Sequence, residues 1–398
     1  MNGSRRIVAG LSAAHLVTDL YGPALPAIIS VLIIQYGYSY FAAGLLVTMY
    51  NAVSSLAQPG IGWVHDRKGR QLPPALSILV CGLFISLLGL APGFGVMLLF
   101  CGIAALGHAA FHPVALSLTG RQSTGGNRGQ VISYFVVGGN LGFALGPLLA
   151  GTAIQVFGQG GVLLMAIPAV VMALALPAIL PRATGAAPPG AGAGTQAAPL
   201  RIPWVPVTIL VIAASLRSIV IFGSIAFLPI FLAGKGFDLL AANGLLTLML
   251  LVGVGGQVLG GAASDRSGRK ETILAGMAAT ALFLAGFLAL PSPWNLLSLM
   301  LFGFALWSSF SVTLAIAHEL LPGDLGLASG LLLGLSMGFG GLGVALIGGI
   351  GDAYGLTGSF LALLVITILA IPLFAVLPYP LRGGGFIRTR PGATQSRP

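Results

Sequence analysis

The chain alternates between long apolar runs and short polar breaks. The apolar runs are too long for a soluble core: a helix crossing the hydrocarbon layer needs about 20 mostly apolar residues. Read this way, the sequence predicts twelve membrane-spanning helices near 7–34, 40–63, 73–91, 95–118, 130–156, 161–180, 203–233, 240–263, 272–290, 294–318, 327–350 and 356–377. The stretch 182–202 is rich in Ala, Gly and Pro and reads as a flexible linker. The expected organisation is therefore a six-helix bundle over 1–181, the linker over 182–202, a second six-helix bundle over 203–378 and a basic tail over 379–398. The fold class is an all-α membrane protein built of two pseudo-symmetric bundles.

Composition sharpens this picture. The 398 residues are 57% hydrophobic and only 7% charged, where a soluble domain carries about 25% charged residues. A net charge of +10 raises the question of nucleic acid, but the basic residues stand singly or in small groups between apolar runs. That is the pattern of orientation signals in a bilayer, and no nucleic-acid partner is expected. If residue 1 is cytoplasmic, sixteen of the eighteen Lys and Arg residues face the cytoplasm. Lys235 is the one outside, and Arg217 lies within a span. The expected protein is a multi-pass component of the cell membrane, plasma or inner, with both termini cytoplasmic and with membrane lipids around a monomer. Trp63, Trp204 and Trp294 stand at span ends, as interfacial anchors do. Cys81 and Cys101 lie inside apolar runs and read as small buried side chains. Arg5 and Arg6 precede the first run in the manner of a signal peptide, but the run is long and holds His15 and Asp19, so a retained first span is expected.

An internal repeat organises the two halves. Residues 62–70 read GWVHDRKGR and residues 261–269 read GAASDRSGR. Both fit G-x-x-x-D-R-x-G-R, with an offset of 199 residues from Asp66 to Asp265. Gly139 and Gly142 match Gly338 and Gly341 at the same offset. In each copy the glycine (Gly62, Gly261) allows close helix contact. The Asp suits a helix N-terminus, and the arginines suit carboxylates or lipid phosphates. Gly62, Asp66, Arg67, Gly69, Arg70 and their counterparts Gly261, Asp265, Arg266, Gly268 and Arg269 are thus candidate conformational-gating residues. A basic turn serving topology alone is the plainer reading. Gly142, Gly146 and Pro147 in the fifth span join the gating set, the glycines as a contact ridge and the proline as a bend.

This arrangement resembles the major facilitator superfamily over essentially the whole chain. The resemblance implies two bundles around a central cavity lined by spans 1, 4, 7 and 10, with rocker-switch alternating access. His15 with Asp19, the run Phe111-His112-Pro113 and the segment GGNLGFALGPLL together look like the fosmidomycin-resistance-type drug exporters. That subfamily implies proton-driven export, including export of an anionic phosphonate antibiotic. Many drug exporters carry an Arg in span 4, where this chain has Ile103; if protons are coupled here, Asp19 and the histidines must substitute.

Charged residues inside the membrane are costly and mark function. Asp19 lies mid-span on a stripe with Ser12, His15, Gly22 and Pro26. His108 and His112 are four apart on one face of span 4, at depths matching Asp19 and His15. The group can be a proton relay, a metal site or helix packing; proton coupling by Asp19, His15, His108 and His112 is carried forward, with no metal assigned. Arg217, whose repeat counterpart is residue 18, is expected to bind anionic substrate or to pair with Asp19. Trp307 and Asn140 complete the candidate substrate-binding set. No H-E-x-x-H and no phosphate-binding loop occurs, so neither a cofactor nor an enzyme is expected. The expected function is a proton-coupled antiporter exporting small amphipathic or anionic compounds. An importer or exchanger of a metabolite anion is the first alternative and a transition-metal exporter the second. Reporter fusions at Arg201 and Lys235 should report opposite sides of the membrane; equal cytoplasmic signals from both would overturn the topology.

Overall fold

The computed structural model describes residues 3–68, 72–123, 128–180, 202–322 and 325–379, with side chains described for all of these except 65–68, 128–129 and 325–326. Gly69, Arg70 and the side chains of Asp66 and Arg67 therefore lie outside the described residues, as do residues 182–201 of the expected linker and 380–398 of the tail.

Every regular element among the described residues is helical. The first half holds α1 (Gly3–Asp19), α2 (Tyr21–Tyr36), α3 (Tyr40–Lys68), α4 (Pro74–Ser86), α5 (Phe94–Gly120), α6 (Arg128–Phe157) and α7 (Ala166–Ile179). The second holds α8 (Trp204–Ala233), α9 (Leu239–Ser267), α10 (Arg269–Ala289), α11 (Trp294–Leu320), α12 (Leu325–Ser329) and α13 (Met337–Val376). Ten stretches are long and apolar enough to cross a membrane, where the hydropathy pattern predicts twelve. The difference has two sources. Pro74–Leu90 is a shorter apolar helix, its last turn tightened to a 3-10 helix over Leu87–Leu90. Leu327–Val376 runs on as a single 50-residue stretch, but Gly355 (φ 72°, ψ 167°) breaks it into two helices within α13. Only glycine adopts that backbone freely.

The first crossing, Gly3–Tyr36, is one 34-residue helical stretch that loses a backbone hydrogen bond between α1, ending at Asp19, and α2, starting at Tyr21. Pro23 has no N–H to give to the Asp19 carbonyl, while Leu20 keeps helical backbone (φ −61°, ψ −34°). The flanks of the molecule carry exposed leucines, Leu174 at 76% and Leu346 at 67% exposure, as a lipid-facing surface requires. Trp63, Trp204 and Trp294 are exposed, whereas Trp307 is buried.

Packing follows the repeat. α3 lies against α13 and α6 against α9 across the two halves, while α1 packs on α6 and α8 on α13 within them. The α1–α6 contact depends on missing side chains. A Cβ on Gly138, Gly142 or Gly146 would fall on the backbone carbonyl of Ser12, Leu16 or Leu20 respectively. Three glycines at a spacing of four thus meet three carbonyls at a spacing of four, the close approach that small residues permit in a bilayer. Gly341, the counterpart of Gly142, faces Asn51 of α3 instead. The repeat is conserved in placement but not in what each glycine touches.

One polar contact joins the halves at the end opposite the G-x-x-x-D-R-x-G-R segments. Asp352 of α13 accepts hydrogen bonds from the backbone N–H groups of Tyr40 (2.7 Å) and Phe41 (2.9 Å) at the start of α3. A carboxylate satisfies free amides there and meets the positive end of the helix dipole. Since this cap is exposed, its loss should cost ~1 kcal/mol. Asp352→Ala should therefore raise the population in which this end is open by about fivefold, read as longer distances between spin labels on Gln35→Cys and Thr357→Cys. An unchanged distance distribution would show that the contact is incidental.

Candidate functional site

Four side chains converge at the junction of α1 and α2. Asp19 Oδ2 lies 3.1 Å from His15 Nε2, and Asp19 Oδ1 lies 3.4 Å from His108 Nε2 and 3.2 Å from His112 Nε2. The pairing at matched depth expected between spans 1 and 4 is present, and both histidines of α5 reach the same carboxylate oxygen. Asp19 Oδ1 nonetheless has no aligned hydrogen bond.

The far side of each ring decides the chemistry. His15 Nδ1 is 2.8 Å from the carbonyl oxygen of Phe135, and His112 Nδ1 is 2.9 Å from that of His108. A carbonyl oxygen only accepts, so both Nδ1 atoms carry hydrogen. In the neutral rings Nε2 then presents a lone pair to a carboxylate that presents another. His108 Nδ1 is 2.8 Å from Ser54 Oγ, which can take either role. Lone pairs facing one another repel, and a cation between them removes the repulsion. That cation can be a proton on an imidazole or on the carboxylate.

The surroundings fix the rings. Phe135 stacks on His15 with ring centroids 4.0 Å apart, and Tyr50 approaches His108 at 5.5 Å. A Cβ on Gly139 would lie 2.5 Å from His15 Nε2 and 2.7 Å from Asp19 Oδ2, so any larger residue on α6 here would push the cluster's side chains aside. The carboxylate and two of the imidazoles open into a cavity of about 230 Å³ between the halves. Tyr50, Asn51, Ser54 and Gln58 of α3 line one wall, and Phe222 and Ile225 of α8 with Met337 of α13 line the facing wall. Spans 1, 4 and 7 border the cavity as expected. Span 10 does not, and spans 2, 5 and 11 contribute instead.

Span 10 (α11) faces a smaller crevice where Asn140 and Phe143 of α6 meet Gln257 of α9 and Trp307. Trp307 Nε1 and Gln257 Oε1 are buried there without partners, and Phe143 touches both this crevice and the central cavity. Two of the expected substrate residues, Asn140 and Trp307, are thus brought together. Arg217 stands apart from them. It is buried at 3% exposure, donating from its Nη1 to Ser309 O (2.9 Å) and Thr313 Oγ1 (2.5 Å). Its guanidinium lies over the Phe310 ring. It makes no ion pair among the described residues, so the expected pairing with Asp19 is absent in this structure. A carbonyl and a hydroxyl on α11 take its Nη1 instead, and its Nε is buried without a partner.

At the far end of the second half, Asp265 pairs with Arg269 at 2.6 Å, and Arg269 reaches Glu319 of α11 at 3.2 Å. Gly268, at φ 106°, ends α9 so that α10 can begin at Arg269. Asp265 therefore clamps the turn through an arginine, rather than through the helix amides expected from the sequence. Tyr379 donates to the other oxygen of Glu319, and its own partial burial and this carboxylate raise the phenol's pKa. Arg266 is exposed. Gly62 stands against Pro113 of α5 and Gly261 against Ser311 of α11, the fourth predicted span of each half. Gly146 on α6 lies against the Leu20 carbonyl, and Pro147 follows it inside the same helix.

Comparison with known proteins adds to this geometry. The chain matches the family described as Major Facilitator Superfamily over residues 7–333 and 240–392. It is 33% identical to the fosmidomycin resistance protein of Escherichia coli (strain K12) over 356 residues, covering 87% of this chain and 86% of that protein. It is 30% identical over 381 residues to YfnC, an uncharacterized MFS-type transporter of Bacillus subtilis (strain 168), covering 92% and 91% of the two chains. Its fold is similar to a bacterial homolog of the human lysosomal transporter Spinster in an inward-facing, occupied conformation, at TM-score 0.79 with 16% identity, covering 93% of this chain and 96% of that one. The nucleoside transporter NupG is similar at TM-score 0.72 and 16% identity, over 95% and 98% of the two chains.

Gly139→Ala should force His15 or Asp19 to move, because stacking and the Phe135 carbonyl hold the ring. The expected loss is about 1–3 kcal/mol of stability. Gly255→Ala, with open space around it, should be neutral or gain up to about 1 kcal/mol. Thermal unfolding in detergent distinguishes them; equal melting temperatures would mean that the cluster tolerates the methyl group.

Proposed function

The chain belongs to the major facilitator superfamily, and we propose that it is a proton-coupled antiporter that exports small amphipathic or anionic compounds by alternating access. The single observation that carries this reading is that Asp19, His108 and His112 open directly into a cavity between the two halves. A relative whose name records fosmidomycin resistance supports a drug as the exported compound. In this reading the two bundles, over 3–180 and from 202 onward, rock about the α3–α13 and α6–α9 contacts. The G-x-x-x-D-R-x-G-R ends, where Asp265 and Arg269 clamp their turn, separate and rejoin as they do so. Both termini are cytoplasmic in this reading, in the inner or plasma membrane, and the functional unit is a monomer.

Coupling needs a proton affinity that differs between the two access states, since a site with one fixed affinity shifts nothing. The cluster supplies a means. Asp19 and His15 are on α1, His108 and His112 on α5, and Ser54 on α3, so a small movement among these helices changes how many imidazoles face the carboxylate. The cavity wall from α8 and α13 brings substrate into the same space. A bound compound and a protonated cluster then compete for one set of helix positions, which is antiport. Asn140, Phe143 and Trp307 offer aromatic surface and unmet hydrogen-bonding capacity for the compound itself. Arg217 contributes by holding α8 to α11 through Ser309 and Thr313 and serves an anionic substrate only if those bonds are exchanged.

Asp19→Asn keeps size and hydrogen bonding but cannot ionise. In chelator-treated proteoliposomes it should still exchange substrate between equal pools yet fail to concentrate it under an imposed pH gradient. Accumulation at the wild-type level would place the proton site elsewhere, and His112→Gln would be the next variant to measure.

A further inference from the structure

We propose that His15, Asp19 and His112, completed by His108, form a binding site for a divalent transition-metal ion of the zinc class. This goes beyond proton coupling and does not depend on it. One ligand atom from each of His15, Asp19 and His112 lies within 4.8 Å of the others. Tetrahedral zinc with bonds of about 2.0–2.1 Å holds neighbouring ligand atoms roughly 3.4 Å apart. The imidazole–carboxylate separations of 3.1, 3.2 and 3.4 Å already match that spacing.

Three further features favour an ion. Metal-bound histidines characteristically give their other ring N–H to a carbonyl or similar acceptor, which fixes the tautomer and turns the lone pair toward the metal. His15 does this to Phe135 O and His112 to His108 O, while Ser54 Oγ is placed to accept from His108. His15 Nε2 faces Asp19 Oδ2 while His112 and His108 Nε2 face Oδ1, so the donors are imidazole nitrogens around one carboxylate, a set that suits Zn²⁺, Co²⁺, Ni²⁺ or Cu²⁺ rather than Mg²⁺ or Ca²⁺. Second, Asp19 Oδ1 is buried without an aligned hydrogen bond, a free lone pair aimed into the group. Third, Asp19, His108 and His112 border the central cavity, which gives an ion a way in. Elsewhere among the described residues no other group of three such side chains is so placed. A metal ion and a proton would occupy the same lone pairs, so the ion would displace the cation the cluster otherwise holds and tie α1 to α5.

The test is a titration of purified, chelator-treated wild-type protein in detergent with Co²⁺, whose tetrahedral complexes absorb visible light far more strongly than the aqueous ion. One equivalent should bind saturably, and Zn²⁺ should abolish the band. Ser54→Ala removes only the outer support of His108 and should weaken binding by about 10- to 100-fold. The double variant His15→Gln/His112→Gln should lose the band. His318→Gln, whose ring bonds Ser329 away from the cluster, should bind as wild type. Each variant is checked for helical circular dichroism and a monodisperse elution profile. No saturable band in folded wild-type protein would overturn the proposal, as would a band that survives the double substitution or disappears in His318→Gln. The accumulation assay for proton coupling is run in chelator, so failure of either reading leaves the other standing.

Discussion

A carboxylate in the middle of an apolar bundle cannot stand alone, because the desolvation of an unpaired charge costs more than the fold can offset. That constraint at Asp19 organises the first half of the molecule. Three imidazoles must be brought to it from two helices, their outer nitrogens must be anchored, and a glycine must leave room on a third helix. The α1–α6 contact through Gly138, Gly142 and Gly146 places Phe135 and Gly139 where the anchor and the gap are needed. Packing and charge here serve one local requirement.

The hydropathy pattern made most of the scaffold legible, since a bilayer leaves the chain little choice but apolar helices. The predicted 203–233 and 294–318 correspond closely to Trp204–Ala233 and Trp294–Leu320. What hydropathy does not encode is backbone continuity. The lost hydrogen bond after Asp19 arises from a missing amide at Pro23, and the turn within α13 arises from a left-handed glycine; neither changes apolar content. Similarly, the four-residue spacing of His108 and His112 and the opposite directions of spans 1 and 4 were enough to bring the cluster together. Ser54 and Gly139 were harder to see. One belongs to a helix whose rotation the sequence does not specify. The other acts through an atom it lacks, although the polar run Asn51, Ser54, Ser55 and Gln58 in an apolar span was a visible signal.

Arg217 shows where reasoning by depth stops. The repeat places it level with Asp19, and level is all that an offset of 199 residues can say. Which way the side chain leaves its helix depends on neighbours. Hydrogen-bonding groups at Ser309 and Thr313 on α11 lie nearer than any carboxylate of the other half. A buried guanidinium takes the acceptors within reach, and two hydrogen bonds with an aromatic face beneath satisfy much of it.

The cluster has no counterpart in the second half: the residue 199 positions after Asp19 is Ser218, and those after His108 and His112 are Trp307 and Ser311. A duplicated scaffold therefore carries unduplicated chemistry. One half keeps the cluster of ionisable groups, while the other contributes apolar walls such as Phe222, Ile225 and Met337. Evolution can then revise the two separately. Selection for a new cargo would act on the walls of the second half and leave the charged cluster of the first unchanged, which gives a single ancestral duplication a ready route to many descendants of differing appetite.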